Sequence, residues 1–267
     1  MSQDPQEFVK SQDDAATPAL SARGIRKSYA VPGGRLEVLR GLDLEVPTGA
    51  ITVIIGRSGG GKSVFLRHLI GLVRPDAGRI LVDGVDVAQL GGRPLDDVRR
   101  RYGVVFQGGA LFDSMTCGEN VAFPLREKLR LPRAEITKRV DAALGQVGLE
   151  GVETKYPAEV SGGMRKRVAI ARALVTEPEI VFFDEPTTGL DPVLVNTIHQ
   201  LIADLHRRHR FTAVMVSHEI PEIFEIADLV GMLYEGRIVA IGPPAAIQAS
   251  DNRIVRQFIR GEPEAAQ

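Results

Sequence analysis

Eight consecutive residues, Gly56-Arg57-Ser58-Gly59-Gly60-Gly61-Lys62-Ser63, fit the pattern G-x-x-x-x-G-K-[ST], which cradles phosphate. Its glycines let backbone N–H groups curl around phosphate oxygens that a Cβ would keep at a distance. Lys62 can offer a point charge to β- and γ-phosphates, and the Ser63 hydroxyl can ligate Mg²⁺. The pattern works only as a strand-to-helix turn, where the helix N–H groups and dipole face the same anion. Ile51-Thr52-Val53-Ile54-Ile55 before it reads as a short buried strand, and residues 63–73 after it carry helical spacing. A glycine-rich turn ending in Lys-Ser by coincidence would lack that context. The stretch reads as a nucleoside triphosphate site.

A second set of residues extends this chemistry. The apolar run Ile180-Val181-Phe182-Phe183 ends in Asp184-Glu185. A carboxylate at such a strand end can hold an Mg²⁺ shell, and its neighbour can act as general base toward water. Alone, the pair would mark a turn or a helix start; downstream of a phosphate loop in the same strand-and-helix order, it joins the site. Ser161-Gly162-Gly163 then puts a serine cap and two glycines at the start of a helix, a further anion site. One nucleotide needs one cradle. A second cradle implies contact with a nucleotide held by another subunit.

Composition narrows the classes. The chain has 267 residues, 44% hydrophobic and 25% charged, with 33 Lys plus Arg against 34 Asp plus Glu. That balance gives no global field favouring nucleic acid or anionic lipid. Basic clusters at 99–101 and 207–210 read as solvated helix faces, whereas 165–167 lies inside the second cradle. The lone Cys117 excludes an internal disulfide framework and fits a reducing compartment. It reads as a small buried or half-buried residue. The polar first seventeen residues have no apolar signal region, and no apolar run is long enough to span a bilayer. Spans, if needed, come from other polypeptides.

The elements that must position these residues follow in order. Residues 1–17 read as a disordered lead-in. Alternation over 20–46 predicts a half-exposed antiparallel sheet, and Asp83-Gly84 a tight hairpin turn. Tyr102-Gly103-Val104-Val105-Phe106 reads as a core strand delivering Gln107. Helical character then takes over to about residue 159, with Thr116 and Glu119 forming a capping-box pattern. Asp191-Pro192 starts a helix whose predicted apolar face is Leu194, Ile198, Leu201, Ile202 and Leu205, leaving His199, His206 and His209 as surface residues. A strand over 212–217, a hairpin turning at Glu235-Gly236 and a short helical tail complete the chain.

The order of these stretches resembles the ATP-binding cassette (ABC) ATPases over about residues 20–241. Val160-Ser161-Gly162-Gly163-Met164 is similar to the family's signature motif, about twenty residues before the acidic strand end. The resemblance implies an α/β fold: a P-loop NTPase (RecA-like) core with an antiparallel β subdomain and an inserted α-helical subdomain, about 109–162. It places the ATPase domain at 18–245 and a tail at 246–267. It implies ATP and Mg²⁺, with Tyr29 stacking on adenine and residues 56–63 on the phosphates. Ser63, Gln107 and Asp184 would serve the metal, Glu185, His218 and Lys62 catalysis, and Gly189-Leu190-Asp191 contact across a dimer. Ser161, Gly162 and Gly163 would complete a second copy's site. Val160 and Met164 depart from the common Leu and Gln, and methionine cannot donate a hydrogen bond.

Ser-Gly-Gly-Met followed by Arg165-Lys166-Arg167 resembles one subgroup in particular, the Mla-type lipid-trafficking ATPases of bacteria. Residues 56–63, 109–114 and the tail Val255-Arg256-Gln257-Phe258-Ile259 are similar to it as well. That resemblance implies a two-fold dimer at the cytoplasmic face of the inner membrane, peripheral, with permease subunits docked near 107–114. An MCE-type lipid-binding protein would be a further partner, and nucleic acid none. An importer ATPase for amino acids or another small solute shares the scaffold and stays open. So does a soluble ABC-type ATPase without a permease, though such proteins usually resemble two fused cassettes or carry long coiled coils.

Overall fold

The computed structural model describes residues 18–129 and 131–261. The expected disordered lead-in, residues 1–17, and the tail beyond 261 lie outside the described residues. Chain order gives β1 (Leu20–Val31), β2 (Gly34–Val46), β3 (Ile51–Ile55), α1 (Lys62–Leu69), β4 (Ala77–Val82), β5 (Val85–Asp86), α2 (Arg93–Arg100) and β6 (Tyr102–Val105). Then come α3 (Cys117–Lys128), α4 (Arg133–Gln146), α5 (Gly162–Leu174), β7 (Ile180–Asp184), α6 (Pro192–His209) and β8 (Thr212–Ser217). The chain continues through β9 (Leu229–Tyr234), β10 (Arg237–Gly242), α7 (Pro244–Gln248) and α8 (Arg253–Arg260).

Two sheets carry the fold. The larger has the order β10-β9-β3-β8-β7-β6, parallel except for β10, and the smaller is antiparallel in the order β2-β1-β4-β5. Strands β3, β7 and β8 are buried at every position, because helices or the second sheet cover both faces. Their side chains alternate between two cores. Val53, Ile55, Val181 and Phe183 join the helical core with α3, α4, α5 and α6. Ile54, Phe182 and Val214 point the other way, onto α1 and the antiparallel sheet. The period of two thus welds one central sheet to two different layers.

Local signals explain the ends of the elements. Both predicted hairpin turns put two successive residues at positive φ, Asp83 (48°) with Gly84 (80°) and Glu235 (44°) with Gly236 (76°). That is the twist matching right-handed strands. Thr116 accepts from the Glu119 N–H at 3.2 Å while Glu119 accepts from the Thr116 N–H at 2.9 Å, closing the capping box of α3. Asp191 accepts from Val193 and Leu194 N–H groups at 3.1 Å and starts α6 ahead of Pro192. Helix α1 is shorter than its predicted 63–73, ending at Leu69.

One expectation is overturned. His199 is 1% exposed and His206 8%, both on the buried side of α6; only His209 is exposed. The buried residues Val195, Ile198, His199, Ile202, Ala203, Leu205 and His206 form a wider stripe than the one predicted, because α6 packs against both α5 and the turn Glu222–Glu225 after β8. His206 shares its Nε2 with the Gly49 carbonyl at 3.0 Å and meets the Phe211 ring edge-on. Arg99 and Arg101 are likewise held, Arg99 by the Gly71 carbonyl and Arg101 by Glu179 and Asp83, so the 99–101 cluster is not a freely solvated face.

Candidate functional site

The phosphate loop joins β3 to α1 as its pattern requires. Gly56 passes so close to the Leu233 carbonyl that a Cβ there would collide with it. Gly61, at φ 97°, turns the chain into α1 while facing Val38 of β2. Lys62 is 3% exposed, and its Nζ donates to the carbonyls of Gly56 (2.9 Å) and Arg57 (3.0 Å), folding back along the loop. Burial pulls its ammonium below the ordinary lysine range, opposed by the Glu185 and Asp184 carboxylates.

Strand β7 brings its carboxylates to the same place. The Ser63 hydroxyl donates to Asp184 Oδ1 at 2.7 Å, so two hard oxygen donors converge where the loop enters α1. Glu185 follows at φ 47°, a left-handed conformation costing a non-glycine residue about 1–3 kcal/mol. Its N–H donates to the Val216 carbonyl at 3.0 Å, which anchors the strained turn to β8. The carboxylate divides its contacts. Oε1 faces Lys62 Nζ at 3.5 Å and His218 Nδ1 at 3.3 Å, and Oε2 accepts from Gln107 Nε2 at 3.1 Å and Thr188 Oγ1 at 3.2 Å. Elements more than a hundred residues apart in the chain therefore meet on one side chain.

Tyr29, Val38, Ser58, Gly59, Gly61, Lys62, Ser63, Val64, Gln107 and Glu185 line an open cleft of about 360 Å³. Tyr29 is 38% exposed at its mouth, with Lys27 Nζ 5.6 Å from its ring centre. Asp76 fixes this edge by accepting from Lys27 (2.8 Å), the Ser28 N–H (2.8 Å) and the Ser28 hydroxyl (2.9 Å). Those bonds hold its carboxyl well below the usual carboxylate range, Lys27 contributing most.

Ser161–Gly163 does not join this cluster. Its hydroxyl accepts from the Met164 N–H at 3.2 Å, capping α5, and Ser161 is exposed on the surface. Helix α5 nonetheless grips the cleft of its own chain from behind. Lys166 donates to the Gln107 carbonyl, and Arg172 to those of Gly109 (2.6 Å) and Ala110 (2.7 Å). Burial lowers the pKa of both cations. The motif alone does not mark Lys166 as a support of the site. The signal for Lys166 is its spacing, three residues after Gly163 and four before Ile170, on one buried face of α5. Asn120, fully buried, locks the following loop by bonding Phe112, Met115 and Thr116 backbone groups.

Residues 39–188 match the family model described as ABC transporter. The chain belongs to the ABC transporter ATPase family. It is 43% identical over 243 residues to the probable ribonucleotide transport ATP-binding protein mkl of Mycobacterium leprae, covering 91% of this chain and 69% of that one. It is also 43% identical to the intermembrane phospholipid transport ATP-binding protein MlaF of Escherichia coli, covering 82% of each. Among solved structures, the ATP-binding cassette MJ0796, a post-hydrolysis dimer with ADP and Pi, aligns at TM-score 0.78 and 30% identity over 84% of this chain and 98% of that one. CbiO1 from Clostridium perfringens aligns at 0.78 and 32% identity over 92% and 96%. This ABC ATPase is an ATP-binding, ATP-hydrolysing transporter subunit with a P-loop core. None of its described helices is long and apolar enough to cross a membrane.

Proposed function

We propose that this ABC ATPase drives phospholipid movement between bacterial membranes, as a two-fold dimer seated on permease subunits at the cytoplasmic membrane surface. The observation that carries the substrate class is the match to MlaF across 82% of both chains. An MCE-type lipid-binding protein is the further partner proposed. The name of the mycobacterial relative favours a second reading, a small-solute transporter.

Within the site, the loop 56–63 and the start of α1 bind the phosphates and Tyr29 stacks on the base. Ser63, Asp184 and Gln107 supply oxygen donors that suit Mg²⁺, which favours carboxylate, hydroxyl and water ligands. Held by these residues, Mg²⁺ would supply charge neutralisation on the phosphate oxygens. Glu185 takes a proton from the attacking water as its oxygen forms a bond to the γ-phosphorus. The bond from that phosphorus to the bridging oxygen breaks, leaving ADP and phosphate. Lys62 and His218 turn from Glu185 to the γ-phosphate, which frees the carboxylate to act as a base. Each chain's Ser161-Gly162-Gly163 completes the partner's site, as isologous symmetry allows.

Purification from detergent-solubilised membranes tests the reading. A copurifying permease with bound phospholipid is the expected result. A solute receptor in place of lipid would favour the second reading, and recovery from the soluble fraction alone would sink both.

A further inference from the structure

Behind the cleft lies a cluster that the reaction as described does not use. His199 of α6 is 1% exposed, and among the described residues neither ring nitrogen has a hydrogen-bond partner. Its Nε2 lies 3.7 Å from Glu219 Oε2, just beyond bonding distance. Glu219 follows His218 directly. The same Oε2 accepts from the hydroxyl of Thr187, itself 1% exposed and two residues past Glu185. The N–H of Glu219 donates to Ser217 Oγ at 3.1 Å, and the Lys166 ammonium also feels its charge. Glu219 is thus the joint between β8, the Glu185–Thr188 turn, α5 and α6.

We propose that His199 is a positioning residue for ATP turnover, acting through Glu219 to set where His218 and the Glu185 turn come to rest. The inference rests on the roles given above to Glu185 and His218. A buried imidazole with both nitrogens unpaired is a poor core residue, since an apolar side chain of similar size would fill the space without stranding polar atoms. Burial also drives its pKa down to about 4, against the pull of Glu222, so the ring is neutral near neutral pH. In its Nε2–H form it can donate to Glu219 without adding charge. Closing the gap to a normal bond takes under about 1 Å. That movement carries Glu219, and His218 with it, toward α6. Asp191 caps the start of the same helix, so the dimer-facing turn and the His218 turn share one rigid element.

The test uses the full chain with Mg-ATP. His199→Leu should lower kcat about tenfold with KM for ATP changed by less than about twofold, and with a melting temperature equal to or above that of the parent. His199→Gln, whose amide nitrogen reaches the position of Nε2, should restore kcat to within about threefold. Unchanged kcat in His199→Leu, or no recovery in His199→Gln, would overturn the proposal. Should His199→Leu misfold, Glu219→Gln carries the same expectation, and normal turnover in that variant overturns it. Glu185→Gln is measured alongside. Normal turnover there removes the base assignment and this inference together; lost turnover there with a normal His199→Leu removes the inference alone.

Discussion

Glu185 Oε1 lies 3.5 Å from Lys62 Nζ, so the carboxylate after β7 and the phosphate-loop lysine hold each other. Lys62 is 3% exposed and the Glu185 side chain 11%. In the proposed site, a triphosphate entering the loop would compete with Glu185 for the lysine. On the proposed mechanism, binding would also release Glu185, so that water activation would wait for a γ-phosphate.

Lys62→Ala removes the charge that the triphosphate would capture. ATP affinity should fall at least about tenfold, or about 1.4 kcal/mol, in a titration calorimetry experiment. Unchanged affinity would mean that the loop does not bind the phosphates.

Glu185→Gln keeps the shape and the Gln107 contact but cannot accept the proton. Turnover should fall by roughly 10²–10⁴-fold while ATP binding persists, and size-exclusion chromatography with ATP should show accumulated dimer. Turnover close to the parent rate would eliminate Glu185 as base.

Sharing of sites has its own measurement. A Lys62→Ala chain mixed with a Ser161→Ala chain leaves one intact composite site per heterodimer. Confirmed heterodimers should hydrolyse ATP faster than either parent dimer. No gain would argue against the partner contribution of Ser161.

Much of this site was legible because its chemistry depends on short local patterns. The glycines and Lys62 of the loop, the Asp184-Glu185 strand end and the Asp191-Pro192 cap each declare themselves within a few residues. Hairpin turns at Asp83-Gly84 and Glu235-Gly236 were readable for the same reason. His199 and His206 were not, since their burial comes from what α6 packs against, and α6 alternates ordinary polar and apolar residues. The spacing of Lys166 marks the buried face of α5 but not its partner, since that partner is the backbone carbonyl of Gln107.

Acid stability checks the burial of His199. Its pKa is lowered from 6.5 to about 4, so between those values the unfolded chain binds a proton that the folded chain refuses. Stability contributed by the neutral ring is full above the unfolded pKa and is lost as pH falls toward 4, by up to about 3 kcal/mol. Denaturant midpoints for His199→Leu should therefore fall less steeply from pH 6.5 to 4 than those of the parent. Equal slopes would mean that the ring titrates freely in the folded chain.

Gly103 in β6 tests the packing beneath the cleft. A Cβ there would meet the Ala173 carbonyl at 2.5 Å and Pro178 at 3.0 Å. Gly103→Ala should cost about 1–3 kcal/mol by chemical denaturation. A neutral result would show that α5 can back away from the sheet.

Helix α5 has the Ser161 cap at one end and, eleven residues later, Arg172 clamped on the Gly109 and Ala110 carbonyls. At 1.5 Å per residue the two points lie about 16 Å apart. Between them Lys166 holds the Gln107 carbonyl, so one helix ties the cap to the 107–110 loop. A tilt of about 5° about the Arg172 end would sweep the cap through about 1.4 Å, close to half a hydrogen-bond length. Small rotations at the loop after Gln107 would thereby reach the far end of α5, where the proposed contact with a partner's nucleotide lies.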